Sequence, residues 1–166
     1  RLGDADVPLH VVSRELRALV LSANVALLPD YEWEPVAVAL RRHLLERFGF
    51  AKRALGQHAR LSEVIAAMHE VRGVSWVDID VFASIPEKRM VDGVRRLITQ
   101  DEIAARMTGV LQATAAERGT VAAGRRSPPD VLAFPGGLDR GVLRPAELAI
   151  FTPEVPDCLV LNQVPS

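Results

Sequence analysis

The side chains with the best claim to chemistry are Asp78 and Asp80, which flank Ile79 in the run Val74-Ser75-Trp76-Val77-Asp78-Ile79-Asp80-Val81-Phe82. Residues two apart in a strand share a face, so the two carboxylates could hold a divalent ion together, as D-x-D elements do in some transferases. The pattern is common by chance, and the sequence places neither further oxygen ligands nor a phosphate-binding loop beside it. A solvated strand face explains it more simply. His10, His43, His58 and His69 form no metal-ligand or H-E-x-x-H spacing and read as surface or boundary positions. Ser13, Ser22, Ser62 and Ser75 lack a G-x-S-x-G setting, and Gly136-Gly137 has neither a preceding strand nor a following G-K-[ST]. Cys158, the lone cysteine, can form neither an intrachain disulfide nor a cysteine-rich metal site, and reads as a small hydrophobe in a strand. No catalytic, cofactor-binding or metal-binding residue is therefore assigned, and no cofactor is expected.

Composition narrows the partners. A formal charge of -1 gives no basic face for phosphate polymers, so no nucleic acid is expected as a partner. With aromatics at 5%, a stacking platform for bases or sugars would have little to work with. The 49% hydrophobic and 25% charged content is that of a folded chain. Without an apolar run of about 20 residues or a signal-peptide plan, the chain is expected to be soluble, with no membrane insertion. Because it opens on Arg1 and enters patterned sequence almost at once, it is expected to be a piece of a longer polypeptide.

The elements that must position these side chains follow from periodicity. Leu19, Leu21, Ala23, Val25 and Leu27 alternate with Val20, Ser22, Asn24 and Ala26, which predicts a long strand over Leu16 to Leu28, preceded by a short extended piece from Val7 to Val12. Pro35 suits a helix start, and Val36, Leu40, Leu44 and Phe48 form one apolar face ending at Gly49, a left-handed terminator. After a link from Phe50 to Arg60, Ser62 is the expected N-cap of a second helix carrying Val64, Ile65, Met68 and Val71, closed by Gly73. The strand holding Asp78 and Asp80 comes next, with Val77, Ile79 and Val81 opposite Trp76, Asp78, Asp80 and Phe82. Residues 1–86 thus read strand, helix, link, helix, strand. The expected fold class is α+β, an open-faced two-layer sandwich that is ferredoxin-like if the link supplies a short strand.

Residues 87–166 are less regular. Thr99 and Glu102 make a capping box before a third helix reaching about Arg118. Gly119 to Arg144, rich in Gly, Pro and Arg, has no sustained period and reads as a long structureless loop or arm, either disordered or ordered by a partner. Leu148-Ala149-Ile150-Phe151 and Cys158-Leu159-Val160-Leu161 read as a β-hairpin, which cannot be stable alone and must pack on something. The candidate interface residues are Pro128, Pro129 and Phe134 in the arm and Ile150, Phe151, Leu159 and Leu161 in the hairpin. Tyr31 and Trp33 complete the set, either as an exposed aromatic anchor or as a staple at the entrance of the first helix.

Several segments, taken together and in order, resemble the C-terminal part of the baseplate J-like family, the baseplate assembly or wedge proteins of contractile phage tails and phage-tail-like injection systems. They are Asp30-Tyr31-Glu32-Trp33-Glu34-Pro35-Val36, Ala54-Leu55-Gly56-Gln57, Leu61-Ser62-Glu63-Val64-Ile65, Arg72-Gly73-Val74 with Val77-Asp78-Ile79-Asp80, and Arg144-Pro145-Ala146-Glu147-Leu148 through Asp157-Cys158-Leu159-Val160-Leu161-Asn162. The likeness spans most of Val7 to Asn162 and thins from Glu87 to Arg144. It implies a structural role without catalytic residues, in a multi-copy hetero-oligomer with other baseplate subunits: wedge partners, hub or spike proteins, or sheath-proximal proteins. Assembly in the bacterial cytoplasm, as part of a virion or a releasable particle, is implied with it. The rival readings are a metal- or ligand-binding enzyme domain centred on Asp78 and Asp80, and a generic protein-interaction module.

Overall fold

The computed structural model describes residues 11–120, 129–139, 141–155 and 157–165, with the backbone alone at 113–120 and 139. Strand β1 (Glu15–Leu27) is the centre of a four-stranded sheet. A short turn leads into helix α1 (Trp33–Arg47), and a link with one 3-10 turn at Phe50–Lys52 precedes helix α2 (Leu61–His69). Strand β2 (Val74–Pro86) then pairs antiparallel with β1. A hairpin of β3 (Lys88–Val91) and β4 (Val94–Leu97) and helix α3 (Gln100–Thr120) follow. A small hairpin, β5 (Gly137–Asp139) and β6 (Val142–Arg144), comes before β7 (Glu147–Ile150) and β8 (Leu159–Val164). The mixed α+β class and the open sheet agree with the sequence pattern. Among the described residues, no helix is long and apolar enough to cross a membrane.

The terminal strands do not form the expected hairpin. Both run parallel to β1 and lie end to end along one edge of it. β7 pairs over Glu15 to Ala18 and β8 over Leu21 to Ala26, so 151–158 is an excursion that rejoins the same edge. Two short apolar runs carry no direction of their own; the long edge of β1 supplies the hydrogen bonds that set it. The ferredoxin-like option also fails. The link contributes only an isolated bridge, Ala59 with Val131, outside the main sheet.

Residues from both halves of the chain therefore build one sheet, and β1 is buried on both faces. Leu19, Leu21, Ala23 and Val25 of one face, and Val20 and Ala26 of the other, are fully buried. A single helical layer cannot cover both. Phe48 of α1 meets Phe151 edge-on at 5.7 Å. The preceding Ile150, on the opposite side, shares a small cavity with Leu16, Ala18, Ile98 and Ile103 at the start of α3. α1 and α2 cover the first face, and α3 covers part of the second.

The helix ends show where local signals suffice. The Thr99 capping box forms as read, with Thr99 N–H donating to Glu102 Oε2 (2.9 Å) and Glu102 N–H to Thr99 Oγ1 (3.3 Å). Gly73 closes α2 with φ +96°, and a Cβ there would come within 2.4 Å of the Tyr31 ring. Gly49 has φ −79° and is not left-handed; what requires glycine is its approach to the Leu45 carbonyl, where a Cβ would stand 2.4 Å from the oxygen. Ser62 is not the cap of α2, which begins one residue earlier. The Leu61 N–H donates instead to Asp130 Oδ1 at 2.8 Å, a carboxylate brought from far along the chain.

Asp130 belongs to the stretch read as a structureless arm. Its described part is ordered by the body. Val131 exchanges backbone hydrogen bonds with Ala59, Ala133 N–H donates to His58 Nδ1 at 3.0 Å, and Val131 and Ala133 are buried. Phe134 N–H donates to Glu147 Oε2 at 3.0 Å, and the same Glu147 takes Arg17 Nη2 at 2.8 Å. Burial pushes the Glu147 carboxyl up, but these hydrogen bonds and the charges of Arg17 and Arg95 outweigh it and hold the group below its ordinary value of 4.5.

Two measurements check these ties. Asp130→Ala should lower the unfolding free energy by about 1 kcal/mol in urea titration, while Asp130→Asn, which keeps an acceptor oxygen, should recover most of it. A carboxyl whose pKa is depressed on folding stabilises above its unfolded pKa, and that stability is lost as pH falls through the folded pKa. Glu147→Gln should thus be less stable than the parent near neutral pH, and the gap should close progressively below pH 4.5.

Candidate functional site

The register of β1 with β2 decides what Asp78 and Asp80 can do. Ser22 stands opposite Val81 and Ala23 opposite Ile79, which leaves Asp80 as the extra residue of a β-bulge; Ser75 is a second one, between Trp76 and Val74. The first bulge reverses the alternation read from the sequence. Phe82, opposite Leu21, joins Val77 and Ile79 on the face of α1 and α2, while Val81, opposite Ser22, turns to the other. Asn24 lies across from Asp78 and donates its Nδ2 to Asp80 Oδ2 at 2.9 Å; Asn162 of β8 in turn donates to Asn24 Oδ1 at 3.5 Å. The result is a polar row across three strands. The Asn24 amide takes up one acceptor site of the Asp80 carboxylate and ties it to the neighbouring strand. Among the described residues, no group of three or more His, Cys, Asp or Glu is placed to hold a metal ion.

The predicted interface residues divide sharply. Ile150, Phe151, Leu159 and Leu161 are buried in the core, with Phe151 only 1% exposed. They hold β7 and β8 to the body and are not a docking face, a correction that follows from the parallel pairing on β1. Pro128 lies outside the described residues; Pro129 is exposed. Phe134 is 53% exposed, its ring edge-on to His58 at 6.2 Å. The two aromatics at the entrance of α1 separate: Trp33 packs against the core, and Tyr31, lying on Gly73, remains 42% exposed.

Residues not singled out by sequence reasoning form the more prominent surface. Met90, Val94 and Leu97 are exposed on the β3–β4 hairpin, and Leu138 and Val142 on the β5–β6 hairpin. The signal for the first was present in Val91-Asp92-Gly93-Val94. Asp-Gly is the favoured two-residue hairpin turn, and here both residues have positive φ, 51° and 76°. Two-stranded hairpins are marginal alone. This one is anchored at its base, where buried Glu15 accepts Arg95 and sits 3.9 Å from Lys88 Nζ, and along its side, where Arg89 meets Glu102 at 2.6 Å. Arg53 was missed altogether. It is buried against Glu63 (3.2 Å), the carbonyls of Gln57 (3.2 Å) and His58 (2.6 Å), and the Phe48 ring, and so fixes the link onto α2.

An open cleft of about 740 Å³ lies beside α1, floored by Leu16, Leu45, Ile150 and Phe151. At its rim Arg14 stacks over Phe50 at 5.3 Å. Arg42, Glu46 and Glu154 also line it, so it mixes both signs of charge over an apolar floor, a composition suited to a protein surface and without a convergent set of acid, base and nucleophile.

Cys158 is buried just before β8, its thiol donating to the Thr152 carbonyl at 3.5 Å. Burial pushes its pKa above the ordinary thiol value, so little thiolate forms. Its modification by an aromatic disulfide reagent at mildly alkaline pH should be at least ~100-fold slower in the native chain than in urea, because it requires opening of the core. Compared with models of protein families, with curated proteins and with solved structures, the chain matches none.

Proposed function

We propose that this chain is a structural baseplate component, of the wedge type, in a contractile phage-tail-like particle, and that it works by docking onto other protein subunits rather than by catalysis. The observation that carries the reading is the set of segments resembling the baseplate J-like family, in that family's order. They fall on the parts that define the framework: the turn into α1, the link, the start of α2, β2 with its bulge, and the strands β7 and β8. The thinnest stretch of the likeness contains both exposed hairpins. A shared scaffold with variable projecting hairpins is what a subunit needs if it keeps one body and meets different neighbours.

The docking surface in this reading moves from the terminal strands to the hairpins. Met90 and Leu97 expose apolar side chains beside cationic ones, a pattern of small anchors with a polar rim. Met90→Asp with Leu97→Asp should leave the circular dichroism unchanged and weaken capture of a neighbouring baseplate subunit by about 30-fold or more, the loss of a 2 kcal/mol anchor. The capture partners are the products of the genes adjacent to this one, expected to include sheath, tube and spike proteins. The reading is overturned if those genes encode no particle proteins. It is equally overturned if calorimetric titration with magnesium, manganese or calcium gives stoichiometric binding that Asp78→Asn abolishes.

A further inference from the structure

We propose that the stretch 130–133 is an acid-released clasp over the start of α2, with the imidazole of His58 as its latch.

Three ties hold this stretch to the body. Asp130 Oδ1 accepts the Leu61 N–H at 2.8 Å, Val131 and Ala59 exchange backbone hydrogen bonds of 2.9 Å in both directions, and the Ala133 N–H donates to His58 Nδ1 at 3.0 Å. Only the last has an acceptor of a type that titrates near neutral pH. A peptide N–H can only donate, so Nδ1 must present its lone pair to Ala133, and the proton of the neutral ring sits on Nε2. A second proton goes to Nδ1 and sets one N–H against another. Swinging the ring aside does not restore the bond. Ala133 is fully buried, so its N–H would be left as an unpaired donor away from water, and parting the stretch from α2 relieves this. His58 itself is exposed and takes its proton from solvent without any opening of the core.

The charged groups around the ring are Arg53, Glu63, Asp130 and Glu147. Arg53 donates to the His58 carbonyl at 2.6 Å and pairs with Glu63 at 3.2 Å; Asp130 is taken by Leu61, and Glu147 by Arg17 and the Phe134 N–H. They bear on how readily the ring is protonated, but none of them is bonded to the Ala133 N–H. The Phe134 ring, edge-on to the imidazole at 6.2 Å, supplies no acceptor either. Glu147 sets the extent of the movement. Its carboxyl is held below its ordinary value of 4.5 and so stays ionised while a histidine titrates, which keeps Phe134 fastened. The stretch therefore opens as a flap hinged at Phe134. Opening brings the buried Val131 and Ala133 into solvent beside the half-exposed Leu132 and Phe134, and takes the Asp130 cap from α2. Acid thus turns a covered side of the body into an apolar one.

Native-state hydrogen exchange, corrected for intrinsic rates, tests this. Between about pH 7.5 and 5.5, where aspartate and glutamate normally remain ionised, protection of the Val131 and Ala133 amides should fall about tenfold relative to that of Leu21 in β1. That factor is what uptake of one proton by a released imidazole titrating near 6.5 gives. His58→Asn offers an amide oxygen in the place of Nδ1 and does not titrate, so the fall should vanish in it; His43 and His69 are unchanged there and cannot account for the difference. The nitrogen-15 shifts of the parent's His58 should mark Nε2 as the protonated nitrogen at neutral pH, a readout that decides even if the variant does not fold. Equal relative protection at both pH values in the parent, the same fall in folded His58→Asn, or a neutral ring carrying its proton on Nδ1 each overturns the proposal.

Discussion

Every larger feature of this molecule follows from the burial of β1. Thirteen residues run through the middle of the sheet with strands on both edges and side chains packed on both faces. Such a strand can expose almost no polar backbone, so its edges must be filled along their whole length. β2 is long enough to fill one edge alone. The other is filled in two instalments, β7 and then β8, with the chain looping out between them. The two faces impose a matching demand, met by α1 and α2 on one side and α3 on the other. Truncating a fully buried leucine such as Leu21 would cost about 3 kcal/mol or more, a large share of a domain's net stability.

Polar groups that enter this core are tied down. Asp80 sits in a bulge and takes an amide donor from Asn24; Glu15 is held between Arg95 and Lys88; Arg53 lies against carbonyls and a carboxylate. The ties of Asp80 and Glu15 join segments distant in sequence, so each acts as a register mark as well as an interaction, while those of Arg53 are local and fix the link onto α2. A carboxylate pair that looks like a metal motif on paper becomes part of a hydrogen-bonded row across the sheet once the bulge is in place. The two hairpins, by contrast, expose Met90, Val94, Leu97, Leu138 and Val142. That division between a buried body and apolar hairpins is the physical basis for proposing that the protein docks.

Local signals in the sequence sufficed wherever a residue's environment is set by its near neighbours. The alternation of Leu19 through Leu27, the apolar stripe Val36, Leu40 and Leu44, the Thr99–Glu102 box and the positive φ of Gly73 are all matters of a few adjacent residues, and the elements they specify formed within a residue or two of the expected bounds. The Asp92-Gly93 turn was equally local and simply went unread. Tyr31 and Trp33 could be named as a pair from sequence; which of them stays at the surface depends on what packs across from them, Gly73 in one case and the core in the other.

What the amino-acid sequence determined by itself is therefore the long central strand, the three helices and the α+β class, because helix and strand periodicity are properties of a short stretch of chain. Tertiary structure alone decided that β7 and β8 join β1 in parallel rather than each other, that Asp80 bulges and turns Phe82 to the opposite face, and that Asp130 caps a helix some seventy residues away. The physical reason is common to all three. A hydrogen-bond partner is chosen by which unpaired backbone groups the rest of the fold leaves open, and that choice is not recorded in the neighbourhood of either partner.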